Sequence, residues 1–362
     1  MNAFFPEIKK NFGFGCMRFP LVGEEVDIEA VTKMVDAFLE AGFNYFDTAR
    51  PYHGGKSESV LKTCLTSRYP REKYLLTNKL SSSFFETADQ IRPLFESQLE
   101  RCGVEYFDFY LMHAMNEKRH QQFMEMGAYD IVQQLKAEGK IRHVGMSFHD
   151  SAEVLDRILT DRPEMEAVQL QFNYVDWADP KVQSAKCWEV CRKHGKPVLV
   201  MEPVKGGSLA NLPEKAVELM TSGSPASYAL RYAAGFEDII MVLSGMSNLE
   251  QVMDNIATMK DFHPLDEKEH QTIDQVRTIY QAMHKIPCTA CRYCTDGCPA
   301  GIDIPELFAC LNDKRQNVEG IDSRYAEQAV KADACVECGQ CEAACPQKLH
   351  IRELLKEVSA AF

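Results

Sequence analysis

The residues with the most specific spacing are eight cysteines near the end of the chain. Cys288, Cys291 and Cys294 are followed by Cys298-Pro299, and Cys335, Cys338 and Cys341 by Cys345-Pro346. Cys-x₂-Cys-x₂-Cys-x₃-Cys-Pro suits [4Fe–4S] clusters: three thiolates three residues apart wrap one cubane, and the fourth, ahead of proline, reaches the neighbouring cluster. By that rule Cys288, Cys291, Cys294 and Cys345 hold one cluster, and Cys335, Cys338, Cys341 and Cys298 the other. Zinc prefers two separated Cys-x₂-Cys pairs to triplets, so two complete runs favour iron–sulfur. Two neighbouring clusters read as an electron relay; structural staples are the alternative.

A second set of residues lies earlier. Asp47 in Phe-Asp-Thr-Ala, Tyr52 five residues on, Lys79 in Thr-Asn-Lys and His113 in Leu-Met-His stand at or near the ends of successive apolar runs. Singly they read as a cap, a loop aromatic, a solvated cation and a buried imidazole. Together they can reduce a carbonyl, which needs a hydride at carbon and a proton at oxygen. Tyrosine is a poor acid at neutral pH unless an ammonium favours its anion. Lys79 can do this for Tyr52, Asp47 can pair the lysine, and His113 can orient the carbonyl oxygen and help relay the proton. No side chain supplies a hydride, so a cofactor is required.

Such a set must be positioned by a scaffold. Strand-like runs occur at Phe12–Cys16, Tyr45–Asp47, Tyr74–Thr77, Phe107–Met112, His143–Met146, Ala167–Gln171, Val198–Met201 and Ile239–Leu243. Helical patterns lie between them, among them Ile28–Glu40, Thr87–Arg101, Tyr129–Glu138 and Lys181–Lys193. Eight strands alternating with helices fit a (β/α)₈ TIM barrel, whose chemistry sits at the C-terminal strand ends. The rival, a doubly wound sheet, lacks its glycine fingerprint: Gly13-Phe14-Gly15 is followed by Cys-Met-Arg. The region after Lys285 differs in composition, holding nine of the 14 cysteines. The expected division is a barrel over 1–264, a helical connector over 265–285, and a dicluster domain over 286–362. In the connector Ile273, Val276, Tyr280 and Met283 recur at helical spacing from about Asp266. Helical patterns at Ile304–Leu311 and Tyr325–Val330 predict a mainly α-helical dicluster ferredoxin-like module, with Cys310 as a core thiol.

From about residue 10 to residue 258 the sequence resembles the aldo-keto reductase family. The matching stretches are Gly15-Cys-Met17-Arg18, Asn44-Tyr-Phe-Asp-Thr-Ala49 with Tyr52, Thr77-Asn-Lys79, Tyr110-Leu-Met-His113, Gly145-Met-Ser147 and Gln169. The resemblance implies that Asp47, Tyr52, Lys79 and His113 are the catalytic tetrad. It also implies a nicotinamide at the barrel mouth, with Ser147 and Gln169 at its carboxamide; Phe148 replaces the family's usual asparagine. The glycines of Glu202-Pro203-Val-Lys205-Gly206-Gly207 let backbone approach a pyrophosphate that Lys205 could neutralise. Ser247-Asn-Leu-Glu250 reads as a capping box opening a short helix through Asn255, and the resemblance places the adenosine end here, near Ser247, Gln251 and Asn255. No Lys or Arg lies between Ser244 and Asn255, so NADH is weighed equally with NADPH.

The 362 residues carry a net charge of −13, a field that repels a phosphate backbone and makes nucleic acid a poor partner. Glu7, Lys9 and Lys10 interrupt any leader-like apolar stretch, and no run approaches the length of a membrane span. Cysteine-rich and without an export signal, the protein is expected in the cytoplasm. The expected activity is an oxidoreductase acting on a small carbonyl or alcohol with NAD(P)(H), linked through the clusters to a one-electron carrier such as a ferredoxin or flavodoxin. The alternatives are a nucleotide-binding redox sensor or assembly subunit, and a reductase whose clusters are only structural. A Met-rich loop over Ala114–Met126 is a candidate specificity element.

Overall fold

The computed structural model describes residues 4–362; residues 1–3, at the head of the expected barrel region, lie outside it. Eight parallel strands close into a barrel in chain order: β1 (Phe12–Gly15), β2 (Tyr45–Asp47), β3 (Leu75–Leu80), β4 (Phe107–Met115), β5 (Ile141–Phe148), β6 (Ala167–Gln171), β7 (Val198–Met201) and β8 (Ile239–Gly245). Closure pairs β1 with β8, Phe14 opposite Ser244. Helices follow the strands, as the (β/α)₈ reading requires. The first, Ile28–Glu40, shows the logic: Val31, Met34, Val35 and Phe38 form its buried stripe, and Asp27 caps it by accepting the Ala30 N–H.

One end of the barrel is plugged and the other carries polar groups. Phe5 and Ile8 pack with Tyr45, Leu75, Phe109 and Ala167 near the starts of their strands, Phe5 edge-on to Phe109 at 5.0 Å between ring centroids. Strand spacing leaves no room for a side chain at Gly145, where a Cβ would lie 2.5 Å from the Ala167 carbonyl oxygen.

Several boundaries differ from expectation for identifiable reasons. β3, β4 and β5 run on past their apolar cores because ladder pairing continues through Lys79 and Leu80, and through Met115 opposite Phe148. The expected loop Ala114–Met126 is mostly helix, Glu117–Glu125, capped by Asn116 accepting the Arg119 N–H. The cap after β8 is Asn248, one residue beyond the serine expected. Its side chain accepts the Gln251 N–H, and the helix runs Leu249–Lys260 rather than stopping at Asn255. Among the described residues no helix is long and apolar enough to cross a membrane.

Contacts divide the chain into two compact units, 4–204 with 222–270, and 205–221 with 271–362. The helix Glu267–Ala282 spans the expected connector. In the second unit the helices Ile304–Arg315 and Ile351–Ala361 each follow one cysteine run. Leu307, Phe308, Leu311, Leu355 and Val358 form their shared core, which also takes in Cys294 and Cys341. Cys310 is buried. The helix expected at Tyr325–Val330 lies earlier, Ile321–Ala326, because Tyr325 stacks on Phe362 at 4.0 Å and the Lys331 ammonium caps the carbonyls of Tyr325, Ala326 and Gln328.

Candidate functional site

The strand ends bring Asp47, Tyr52, Lys79 and His113 together. Asp47 closes β2 and pairs in register with Gly15 and Thr77. Lys79 projects from β3 and is wholly buried. Its ammonium donates to Asp47 Oδ1 at 2.5 Å, to the Thr48 carbonyl at 3.0 Å and to the Tyr52 hydroxyl oxygen at 3.0 Å. A buried ammonium with three oxygen partners is satisfied, whereas an unpaired one at this depth costs several kcal/mol. Tyr52 opens a short turn whose next residue, His53, has φ 52°. His53 Nε2 accepts the Phe19 N–H at 3.0 Å and its ring stacks on Phe19, tying the tyrosine's turn to the segment after β1. Burial, followed by the charges of Arg18 and Lys56, holds His53 below its ordinary pKa, which suits an accepting nitrogen.

His113 sits where the β4–β5 register shifts, between Met112 and Met115, and Ala114 beside it takes φ 53°. Such a bulge re-aims a side chain at the sheet rim. The His113 and Tyr52 rings lie 6.2 Å apart, near perpendicular. His113 Nδ1 is 2.5 Å from Ser81 Oγ. Burial, then the positive charges of Lys79 and Arg119, push the imidazole well below its ordinary pKa, so it is neutral at neutral pH.

Ser147 and Gln169 sit close to this group, Gln169 bonded to it and Ser147 to the residue beside His113. Ser147 Oγ accepts the Ala114 N–H at 2.7 Å, bracing the bulge. Gln169 donates through Nε2 to Asp47 Oδ2 at 3.1 Å. Gly15 ends β1 opposite Gly245, with Met17 half-buried just beyond. Pro203 and Lys205 are buried, and Glu202, Lys205 and Gly206 have left-handed φ of 56°, 47° and 65°. Non-glycine residues in that region cost ~1–3 kcal/mol each and cluster at functional sites. Ser247 and Gln251 are exposed; Gln251 Oε1 accepts the Ser247 N–H, and Ser247 Oγ donates to the Arg18 carbonyl. Asn255 is buried and donates to Ser244 Oγ at 3.1 Å, so its side chain braces the helix against β8.

Sequence reasoning missed the groups behind the tetrad. Ser81 follows Lys79 by two residues, the spacing that puts both on one face of a strand; that was its only signal. Glu58 is fully buried and accepts from Arg50, Arg101 and Asn78, each at 2.9 Å. Gln98 extends the network, donating to Asn78 Oδ1 and to the Lys79 carbonyl while accepting the Tyr110 hydroxyl at 2.6 Å. This network anchors the strand that carries Lys79, through partners too distant in sequence to be recognised.

In the second unit the eight cysteines line two cavities. Cys288, Cys291, Cys294 and Cys345 line one small pocket, and Cys298, Cys335, Cys338 and Cys341 a second. These are the crossed sets expected from the proline-marked fourth cysteine. The thiols stand around a volume; among the described residues no three His, Cys, Asp or Glu side chains converge on a single-ion site. The runs share their backbone. Left-handed residues occur at Ala290, Arg292 and Gly301 in the first and at the matching places Glu337, Gly339 and Lys348 in the second. Such turns aim N–H groups inward: the Ala290 N–H lies 3.4 Å from Cys288 Sγ. Four thiols around a walled cavity, with N–H donors to sulfur, fit an iron–sulfur cubane.

Comparison with known proteins follows the same division. The family model described as the aldo/keto reductase family matches residues 11–278, and that described as a 4Fe-4S dicluster domain matches residues 287–349. L-galactose dehydrogenase of Arabidopsis thaliana is 26% identical over 297 residues, covering 76% of this chain and 91% of the relative. NADH-specific methylglyoxal reductase of Escherichia coli is 26% identical over 276 residues, covering 62% and 82%. Among solved structures, the holo form of an aldo-keto reductase from Bacillus halodurans superposes with a TM-score of 0.60 at 24% identity, covering 74% of this chain and 91% of that one. One from Klebsiella pneumoniae in complex with NADPH gives 0.60 at 20% identity, covering 74% and 90%. The two structural likenesses speak to the fold.

Proposed function

The chain belongs to the aldo/keto reductase family and carries a 4Fe-4S dicluster domain, and from that premise we propose that it is a cytoplasmic enzyme interconverting a small carbonyl compound and its alcohol with NADH or NADPH, its two [4Fe–4S] clusters linking it to a one-electron carrier such as a ferredoxin or flavodoxin. A bound nicotinamide supplies the hydride. The chain's own residues deliver the proton and hold the substrate oxygen. Tyr52 donates its hydroxyl proton to that oxygen, and Lys79 Nζ, already 3.0 Å away, stabilises the negative charge left behind. Asp47 fixes the ammonium from the other side. Neutral His113, with the Ser81 hydroxyl donating to Nδ1, presents a protonated Nε2 to the carbonyl oxygen. With Nε2 of Gln169 on Asp47, its Oε1 is the end that would meet a carboxamide.

One relative is named for NADH and one likeness was solved with NADPH. From Ser244 to Asn255 this chain offers no basic residue to a 2′-phosphate, while Glu250 and Asp254 lie there; NADH is therefore as well supported as NADPH. The observation that carries the proposal is the buried Lys79 ammonium bridging Asp47 and Tyr52. Its test is Tyr52→Phe, which keeps the ring and loses only the transferable proton. Carbonyl reduction should fall by about 10²–10⁴ in kcat, with the nicotinamide Kd nearly unchanged. Turnover close to that of the unaltered protein would exclude this mechanism.

A further inference from the structure

The two cysteine runs match in backbone but not in surroundings. Thr289, inside the first run, is buried, whereas Val336, which occupies its place in the second, is 66% exposed. Gly206 packs against Thr289. Both belong to the second compact unit, which takes in residues 205–221 together with the cysteine runs. With φ at 65°, Gly206 lies so close that an added Cβ would stand 2.7 Å from Thr289 Cα, 2.8 Å from its carbonyl oxygen and 3.0 Å from its carbonyl carbon. The peptide that Gly206 abuts is the one whose far end, the Ala290 N–H, donates to Cys288 Sγ.

We propose that occupation of the Lys205-Gly206-Gly207 loop by a nucleotide pyrophosphate and reduction of the cluster held by Cys288, Cys291, Cys294 and Cys345 are energetically coupled, through the contact of Gly206 with the Thr289–Ala290 peptide. The inference rests on the reading of this loop as the pyrophosphate site and of those cysteines as ligands. Two effects act along the contact. The pyrophosphate is an anion and reduction adds one electron, so each disfavours the other. A shift of Gly206 also moves the N–H bonded to Cys288, and hydrogen bonds to sulfur tune cluster potential. Coupling is reciprocal: the nucleotide lowers the potential of this cluster, and reduction weakens nucleotide binding by the same factor. The other cluster, with Val336 in solvent, lacks the contact and serves as an internal control.

The test uses ADP-ribose, which carries the pyrophosphate but no hydride acceptor. Anaerobic redox titration of the full protein, followed by electron paramagnetic resonance, is run with and without saturating ADP-ribose, and calorimetry measures its affinity for oxidised and reduced protein. Cys291→Ser and Cys338→Ser assign the two signals. The expected result is about tenfold weaker binding to reduced protein and a downward shift of about 59 mV in the cluster altered by Cys291→Ser, the other unmoved. Gly206→Ala, which forces the contact apart, should change the shift. ADP-ribose that binds both states equally and moves neither potential overturns the coupling and leaves the nucleotide reading standing. An equal shift in both clusters overturns the route through Gly206. Absence of binding, or binding indifferent to Lys205→Gln, overturns the loop reading and the coupling with it.

Discussion

The barrel and the dicluster unit build reactive groups in opposite ways. In the barrel Asp47, Lys79 and His113 lie on strands and Tyr52 in the turn that follows β2, and the polar groups are already partnered: Lys79 has three oxygen partners and His113 has Ser81. In the dicluster unit seven of the eight cysteines of the two runs lie on loops with left-handed residues and Cys341 lies in the short helix Gln340–Ala344, and two of the cysteines, Cys294 and Cys341, are part of the unit's own core. The first site is preorganised by hydrogen bonds among its protein groups. The second is a pair of walled cavities whose completion depends on what the thiols bind. The contrast predicts that damage to one region should leave the chemistry of the other largely intact.

The largest expected effect tests that independence directly. Protein purified without oxygen should contain about eight irons and eight acid-labile sulfides, from two four-iron clusters; stoichiometric zinc without iron would refute the cluster reading. Replacing Cys291 and Cys338 together by Ser should abolish activity driven by reduced viologen while nicotinamide-dependent carbonyl reduction survives. If both activities persist, the clusters are staples and not a relay. Loss of both in a protein whose barrel remains folded would show that the two regions do not work separately.

A smaller effect sharpens the preorganisation of the barrel. Ser81→Ala removes the partner of His113 Nδ1 and should lower kcat about tenfold with the nicotinamide Kd unmoved. Ser81→Thr keeps the hydroxyl and should restore most of the loss. An unchanged kcat and pH profile in Ser81→Ala would show that the histidine does not need this bond.

The smallest effect is on acid stability. His113 is held well below its ordinary pKa, chiefly by burial, while in the unfolded chain it titrates near 6.5. Below that pH the unfolded state takes up a proton that the folded state refuses, so this contribution is complete above about pH 6.5 and is lost as pH falls. The variant His113→Gln should therefore lose less stability than the unaltered protein between about pH 7 and pH 5, measured by denaturant midpoints. An identical slope would mean that His113 protonates in the folded state as easily as in the unfolded one.

Much of this architecture was legible locally. A strand of period two shows its polar end as a break in an apolar run, which is why Asp47, Lys79 and His113 stood out, and a proline after the fourth cysteine marks which cavity that cysteine serves. Extents were harder. β3 and β4 continue through polar residues because neighbouring strands supply ladder partners, and the segment after His113 became a helix through a cap at Asn116 masked by its methionine-rich composition.

What the order of residues determined by itself is therefore the grouping: a carboxylate, an ammonium and an imidazole at the ends of successive strands with a tyrosine in the turn after the first of them, and two cysteine runs with the spacing of a cubane site. These follow from short-range regularities, the pleat of a strand and the reach of a turn. Tertiary structure alone decided which distant groups hold them in place. Glu58 meets Arg50, Asn78 and Arg101 only because four segments converge, and Ser81 reaches His113 only across adjacent strands. The glycine of the loop after β7 is pressed against the first cysteine run for the same reason: close packing joins residues that chain distance keeps independent.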